Sequence, residues 1–175
     1  MERALVELWH NPSSVHRGGQ AARHAVELAR ASVAALVNAK AREIIFTSGG
    51  TEAIDLAIRG RLGSLRESGA GGPLNIVTTP VEHHAIRDLC EHLSGAQAGG
   101  MSGGGAGAGV AGPGAMPPRV EIRCAPVSRE GVVDGVALAE LIDTNTALVV
   151  VQSANNETGT IQPIELICKR ARMKG

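Results

Sequence analysis

The sequence predicts an α/β fold built on a largely parallel sheet. Two observations carry that expectation. Short β-favouring runs alternate with stretches of helical periodicity along most of the chain. Three of the short runs also lead straight into polar, chemically specific residues, as strands do where they end at a ligand-binding edge.

The elements follow in order. Ala22, Val26, Ala29, Val33 and Leu36 recur at alternating intervals of four and three, with Arg23, Glu27 and Arg30 on the opposite side. That spacing predicts an amphipathic helix with a buried apolar stripe. Residues 43–47 (EIIFT) read as a buried strand, and Thr51 to about Leu65 as a helix ended by loop chemistry. Leu74–Thr79 is a second expected strand and His84–Leu93 a second short helix. Arg119–Ala125 and Ala147–Gln152 read as strands, and Val136–Ile142 as a helix between them. A last helix runs from Pro163, at its opening, to about Met173. Right-handed crossovers then place helices on both faces of the sheet.

Composition excludes several functions. A chain of 175 residues suits one domain with a sizeable core. Its 17 basic and 17 acidic residues cancel, so no field draws nucleic acid or an anionic membrane. Trp9 and Phe46 are the only aromatic residues, too few for a base-stacking platform. No apolar run approaches the roughly 18–20 residues of a membrane-spanning helix, and the opening MERALVELWH is no secretory signal. Cys90, Cys124 and Cys168 lack CxxC spacing and read as buried structural cysteines of a reducing compartment, cytoplasm or organellar matrix.

Residues 94–118 hold ten of the 23 glycines. A stretch without apolar periodicity cannot offset its ordering entropy, so it reads as a flexible insertion.

Three junctions could carry chemistry. In Ser48-Gly49-Gly50-Thr51-Glu52, glycines admit close approach of an anion, and a helix start supplies N–H groups and positive dipole. Ser48 or Thr51 equally suits plain helix capping. Glu82-His83-His84 offers imidazoles for stacking or acid–base work, or simply a helix start; no metal-ligand spacing accompanies it. His16 and His24 fall in the first helical region and read as surface residues. Asn155-Asn156-Glu157-Thr158-Gly159 suits a turn, yet its amides can also orient a polar ring substituent. With parallel strands, all three junctions share one edge of the sheet.

Asn11-Pro12-Ser13-Ser14, then FTSGGTE at 46–52, Glu82-His83 and NNETGTIQP at 155–163 occur in this order. The chain thereby resembles the cysteine desulfurases of the class V aminotransferase family, with selenocysteine lyase a near relative. The likeness covers nearly everything outside the glycine-rich insertion. It implies the large domain of a fold-type-I pyridoxal-phosphate (PLP) enzyme, normally a homodimer, acting on L-cysteine and passing sulfur to an acceptor protein. It implies that Gly50 and Thr51 hold the cofactor phosphate. His83 then stacks on the pyridine ring and handles protons, as the catalytic residue among these, and Asn156 bonds the ring hydroxyl oxygen.

Other family features have no counterpart in these 175 residues: an Asn-Ala-Ala-Thr-Thr-Pro-like opening, the Asp for the pyridine nitrogen, the Ser-Gly-His-Lys segment bearing the Schiff-base Lys, and the loop Cys nucleophile. Lys40, Lys169 and Lys174 stand in other contexts. The expectation is therefore an incomplete PLP-binding large domain over 1–175, which binds and orients without bond-making residues. A short non-catalytic protein that binds PLP, or docks onto a longer relative, is the alternative.

Shortening a loop changes its closure entropy only logarithmically. Deleting Gly95–Pro117 is therefore expected to leave the circular dichroism spectrum and solubility nearly unchanged. A large loss of helical signal would show that the segment packs.

Overall fold

Residues Met1–Ser48 form one unit of the computed structural model and Gly49–Gly175 a second. Residues 2–69, 72–95 and 120–174 are described.

The first unit holds helices α1 (Glu2–Glu7) and α2 (Arg17–Leu36). The loop between them folds tightly over the start of α2. Ser14 N–H donates to the Asn11 carbonyl at 3.0 Å, and Arg23 Nε–H donates to that of Pro12 at 2.8 Å. A Cβ at Gly19 would lie 2.5 Å from the Ser14 carbonyl oxygen, so this closure requires glycine. His16 stands at the N-cap rather than in the helix, its Nδ1 accepting from Gly19 N–H at 3.3 Å. It is exposed, as is His24.

Two expectations fail in this unit. The α2 stripe is buried at Ala22 and half-buried at Val26, but Ala29, Val33 and Leu36 are exposed, Leu36 by 85%. Periodicity fixes which residues share a face; burial also needs an opposing element. Residues 43–47 form no strand. A single 3₁₀ turn, Ala41–Glu43, leads into an irregular stretch in which Ile45 is 67% and Phe46 48% exposed. β-propensity expresses packing on a pleated surface, and this run belongs to no sheet. Arg30 shields it locally, donating to the Ile44 carbonyl and lying 5.0 Å over the Phe46 ring.

The second unit opens with α3 (Gly50–Glu67), followed by β1 (Asn75–Thr78), α4 (His84–Ser94) and β2 (Glu121–Cys124). Helix α5 (Gly135–Glu140), strand β3 (Thr146–Val149) and helix α6 (Ile164–Arg172) complete it. The strands form a parallel sheet in the order β2-β1-β3. All four residues of the central strand are buried. Alternation sends Ile76 into a core with Ile58 and Leu62 of α3 and Leu89 and Leu93 of α4. Val77 enters a second core with Leu138 of α5, Ile142 and Ile167 of α6. Helices therefore cover both faces, as expected.

Polar groups clasp the amino ends of the strands. Asn75 Nδ2 donates to Asp143 Oδ1 at 2.8 Å, Thr146 Oγ1 donates to Asn75 Oδ1 at 2.8 Å, and Arg123 Nη1 reaches Asp143 Oδ2 at 2.7 Å. Arg61 and Leu65 of α3 line a hollow with Leu74, Asn145 and Thr146 at this same edge. Helix α3 thus runs back along the sheet, and its first turn, about 16 Å before Arg61, lies towards the carboxyl edge.

Smaller differences concern ends and cysteines. Helix α4 extends through Ser94, and Gly95 caps it in the left-handed region at φ 70. The first two residues of the expected insertion therefore end a helix, and 96–118 lies outside the described residues. Pro163 stands at the N-cap of α6, one position ahead of its first turn. Cys90 is buried as expected, but Cys124 and Cys168 are exposed: one ends an edge strand, the other lies on the solvent side of α6. Among the described residues no helix is long and apolar enough to cross a membrane.

Ile76 and Leu138 are both 0% exposed. Ile76→Ala and Leu138→Ala should each cost about 2–5 kcal/mol in urea unfolding. Leu36→Ala should change stability by less than about 0.5 kcal/mol; a loss as large as that of Ile76→Ala would show that the α2 stripe is covered in solution.

Candidate active site at the carboxyl edge of the sheet

Strands β1 and β3 each release their chain at the carboxyl edge, where Pro80–His84 and Asn155–Thr158, with Arg87, line an open cleft of about 360 Å³. Two larger hollows, about 670 Å³ beside α6 and about 570 Å³ at the amino edge, include no residue of these two junctions. Chemistry, not size, marks the smaller cleft.

Side chains from one exit clamp the backbone of the other. The Val81 carbonyl accepts from Gln152 Nε2 and, at 3.1 Å, from Asn155 Nδ2. Glu82 is 4% exposed. Its Oε1 accepts from the Thr79 hydroxyl at 2.7 Å and its Oε2 from the Gln152 backbone N–H at 3.0 Å. Burial pushes the Glu82 carboxyl above its ordinary range, against the opposing pull of these two hydrogen bonds. Burial, then Cys124 and Glu82 nearby, raise the Cys90 thiol to about 11, so this cysteine stays a thiol.

His83 is the N-cap of α4, its Nδ1 accepting from Ala85 N–H at 3.2 Å. An accepting Nδ1 leaves the imidazole proton on Nε2. The His84 ring lies 4.0 Å away, tilted by 39°. The two readings of this histidine pair are thus compatible: His83 starts a helix and lines the cleft.

The two asparagines divide their work. Asn155 Oδ1 accepts from Glu157 and Thr158 N–H, each at 2.9 Å, while its amide nitrogen holds Val81. The turn closes through Asn155 N–H to the Thr160 carbonyl at 2.9 Å, and Gly159 takes the left-handed conformation at φ 73. Asn156 is exposed in the cleft wall and forms no hydrogen bond with the other described residues. The loop is built by Asn155 and displays Asn156.

Gly50 and Thr51 occupy the first turn of α3 in the same unit, but neither lines this cleft. Gly49, not Ser48 or Thr51, holds the N-cap position. A Cβ at Gly49 or Gly50 would meet nothing within 4 Å, so neither glycine is required there by close packing. The structure thus brings His83 and Asn156 together, and directs Gly50 and Thr51 towards the same edge. Sequence reasoning missed the clamp of Glu82, Thr79 and Gln152. One signal for it existed, since Thr79-Pro80-Val81-Glu82 has the spacing of a capping box, though here the two side chains bond each other.

The family model of the class V aminotransferases matches residues 2–99 and 115–175. The chain belongs to the class V aminotransferase family. Over 98% of its length it is 38% identical to the cysteine desulfurase IscS of Dictyoglomus turgidum. A solved NifS-like protein superimposes with TM-score 0.78 and 29% identity over 99% of the chain. SspA, in complex with cysteine, superimposes with TM-score 0.75 and 25% identity over 98%. This class V chain spans 37%, 41% and 42% of those three proteins.

The raised Glu82 carboxyl has a stability signature in this class V chain. The folded state holds the proton more tightly than the unfolded state, whose value is near 4.5. Stability from this group is therefore fully present below that value and lost as pH rises through the folded value. Asp143 works oppositely: Arg123, then Asn75, hold it down at about 2 against an ordinary 3.8, so its contribution is lost as pH falls through that window. Glu82→Gln should abolish the decline above pH 4.5 in urea titrations and leave the acid limb unchanged. An unaltered profile would contradict the assignment.

Proposed function

We propose that residues 1–175 supply the cofactor-binding face of a PLP-dependent cysteine desulfurase, which converts L-cysteine to L-alanine and passes the sulfur on as a persulfide. The observation that carries this reading is the meeting of His83 and Asn156, from the loops after two strands, in one cleft of a class V aminotransferase chain. The desulfurase relative and the cysteine complex of SspA support the substrate.

The donor set suits PLP. A phosphate needs N–H groups and a hydroxyl; the start of α3 offers a helix N-terminus with Gly50 and the Thr51 hydroxyl. An aromatic ring with an oxygen substituent needs a flat partner and a polar contact, which the His83 imidazole and Asn156 amide provide. When bound, PLP supplies an electron sink for bond cleavage at the α-carbon of the amino acid. His83 keeps its acceptor nitrogen on the helix and presents Nε2–H as donor, so it holds a proton at a defined atom. Asn156 orients the ring, while Asn155 and Glu82 keep both loops in place. Thr51 and the first-turn N–H groups fix the phosphate. The reading extends to a homodimer, a sulfur-accepting protein partner, and a reducing compartment, cytoplasm or organellar matrix; three unpaired thiols support the last.

The test uses 4′-deoxypyridoxine 5′-phosphate, which lacks the aldehyde and so cannot react with lysines. Titration calorimetry on the 175-residue chain should show binding that Thr51→Ala, His83→Ala and Asn156→Ala each weaken about three- to tenfold. Unchanged affinity in all three variants would refute the site.

A further inference from the structure

We infer that Glu82 is the positioning residue for His83: it ties the β1–α4 loop to the end of β3 and so fixes the tautomer and placement of the imidazole. This inference rests on the reading that His83 meets the cofactor ring. The physical case begins with an anomaly. A carboxyl group only 4% exposed has no cationic partner among its bonded groups, which are the Thr79 hydroxyl and the Gln152 backbone N–H. Packing alone would favour an apolar side chain there, because a buried carboxylate is poorly solvated. What an apolar side chain lacks is two acceptors held in one plane.

Those acceptors hold the side-chain end of a loop whose backbone is tied to the same strand exit at the Val81 carbonyl, by Gln152 Nε2 and Asn155 Nδ2. One oxygen fixes the start of the loop at Thr79, and the other reaches 70 residues along the chain to Gln152. The next residue, His83, caps α4 through Nδ1. Its backbone is therefore held on one side by Glu82 and on the other by the helix. With the backbone fixed, Nδ1 meets Ala85 N–H and the proton stays on Nε2. Without Glu82 the loop is held only at the Val81 carbonyl, so the segment after it can pivot, the cap contact weakens, and both tautomers become accessible. A glutamine would serve as well. Its oxygen can accept from Gln152 N–H, and its amide can donate to the Thr79 hydroxyl oxygen. The requirement is for a planar two-point polar group rather than for charge.

The experiment reads His83 directly. In the 175-residue chain carrying ¹⁵N-histidine, long-range ¹H–¹⁵N spectra near neutral pH should show His83 with its proton on Nε2. Glu82→Gln should preserve that pattern and hold affinity for 4′-deoxypyridoxine 5′-phosphate within about twofold. Glu82→Ala should give mixed tautomers and about tenfold weaker analogue binding, with binding of inorganic phosphate unchanged. Thr79→Val, which removes one of the two bonds, should shift the pattern in the same direction to a smaller extent; it carries the test if Glu82→Ala does not fold. A His83 pattern unmoved in both Thr79→Val and Glu82→Ala, or a glutamine variant that behaves like alanine, would overturn the assignment. Absence of analogue binding by the wild-type chain, with a His83 pattern still governed by Glu82, would refute the cofactor reading and sustain the positioning role.

Discussion

Parallel pairing of β1 with both β2 and β3 is the constraint on which the second unit depends. It buries Asn75–Thr78 completely, and a strand buried on both faces needs a helical layer on each. Parallel pairing also sends every strand exit to one edge, so the residues after β1 and β3 become neighbours. The amino edge shows the complementary arrangement. There Asn75, Asp143, Thr146 and Arg123 satisfy one another and hold the strands in register. At one edge the polar groups satisfy one another, and at the other the loops display side chains.

The carboxyl edge accepts local costs to do so. Glu82 is buried without an ion pair to any cation among the described residues, and His83 spends one nitrogen on a helix cap. Each departs from what stability alone would select, and both lie within the same few residues. Such concentrated departures are expected where a site is built. The adjacent asparagines show the same economy, with identical side chains serving structure at 155 and display at 156.

Much of this was legible in the residues. Alternating periods revealed three strands and five of the helices, and in α3 to α6 the apolar face also has a partner to cover it. Residues 43–47 and the α2 stripe read wrongly for one shared reason: apolar periodicity reports a face prepared for contact, not the presence of the contact. The motifs at 82–84 and 155–159 located the cleft, since turn chemistry and polar donors are local properties. Burial of Glu82 was not legible, because it arises from Thr79 and Gln152 meeting across the sheet. The exposure of Cys124 and Cys168 likewise depends on which strand lies at the edge and which side of α6 faces the core.

The clamps on Val81 and Glu82 span 74 and 70 residues. Contacts of such separation repay their chain-closure entropy late in folding. Helices α3 and α4 can gather their own local contacts as soon as they emerge from the ribosome, but the loop between β1 and α4 has only its own Thr79–Glu82 bond and the His83 cap until Gln152 and Asn155 have been made. The cleft is therefore among the last features to acquire its final geometry, and a nascent chain paused before Gln152 carries His83 without the distant groups that anchor its loop to the sheet.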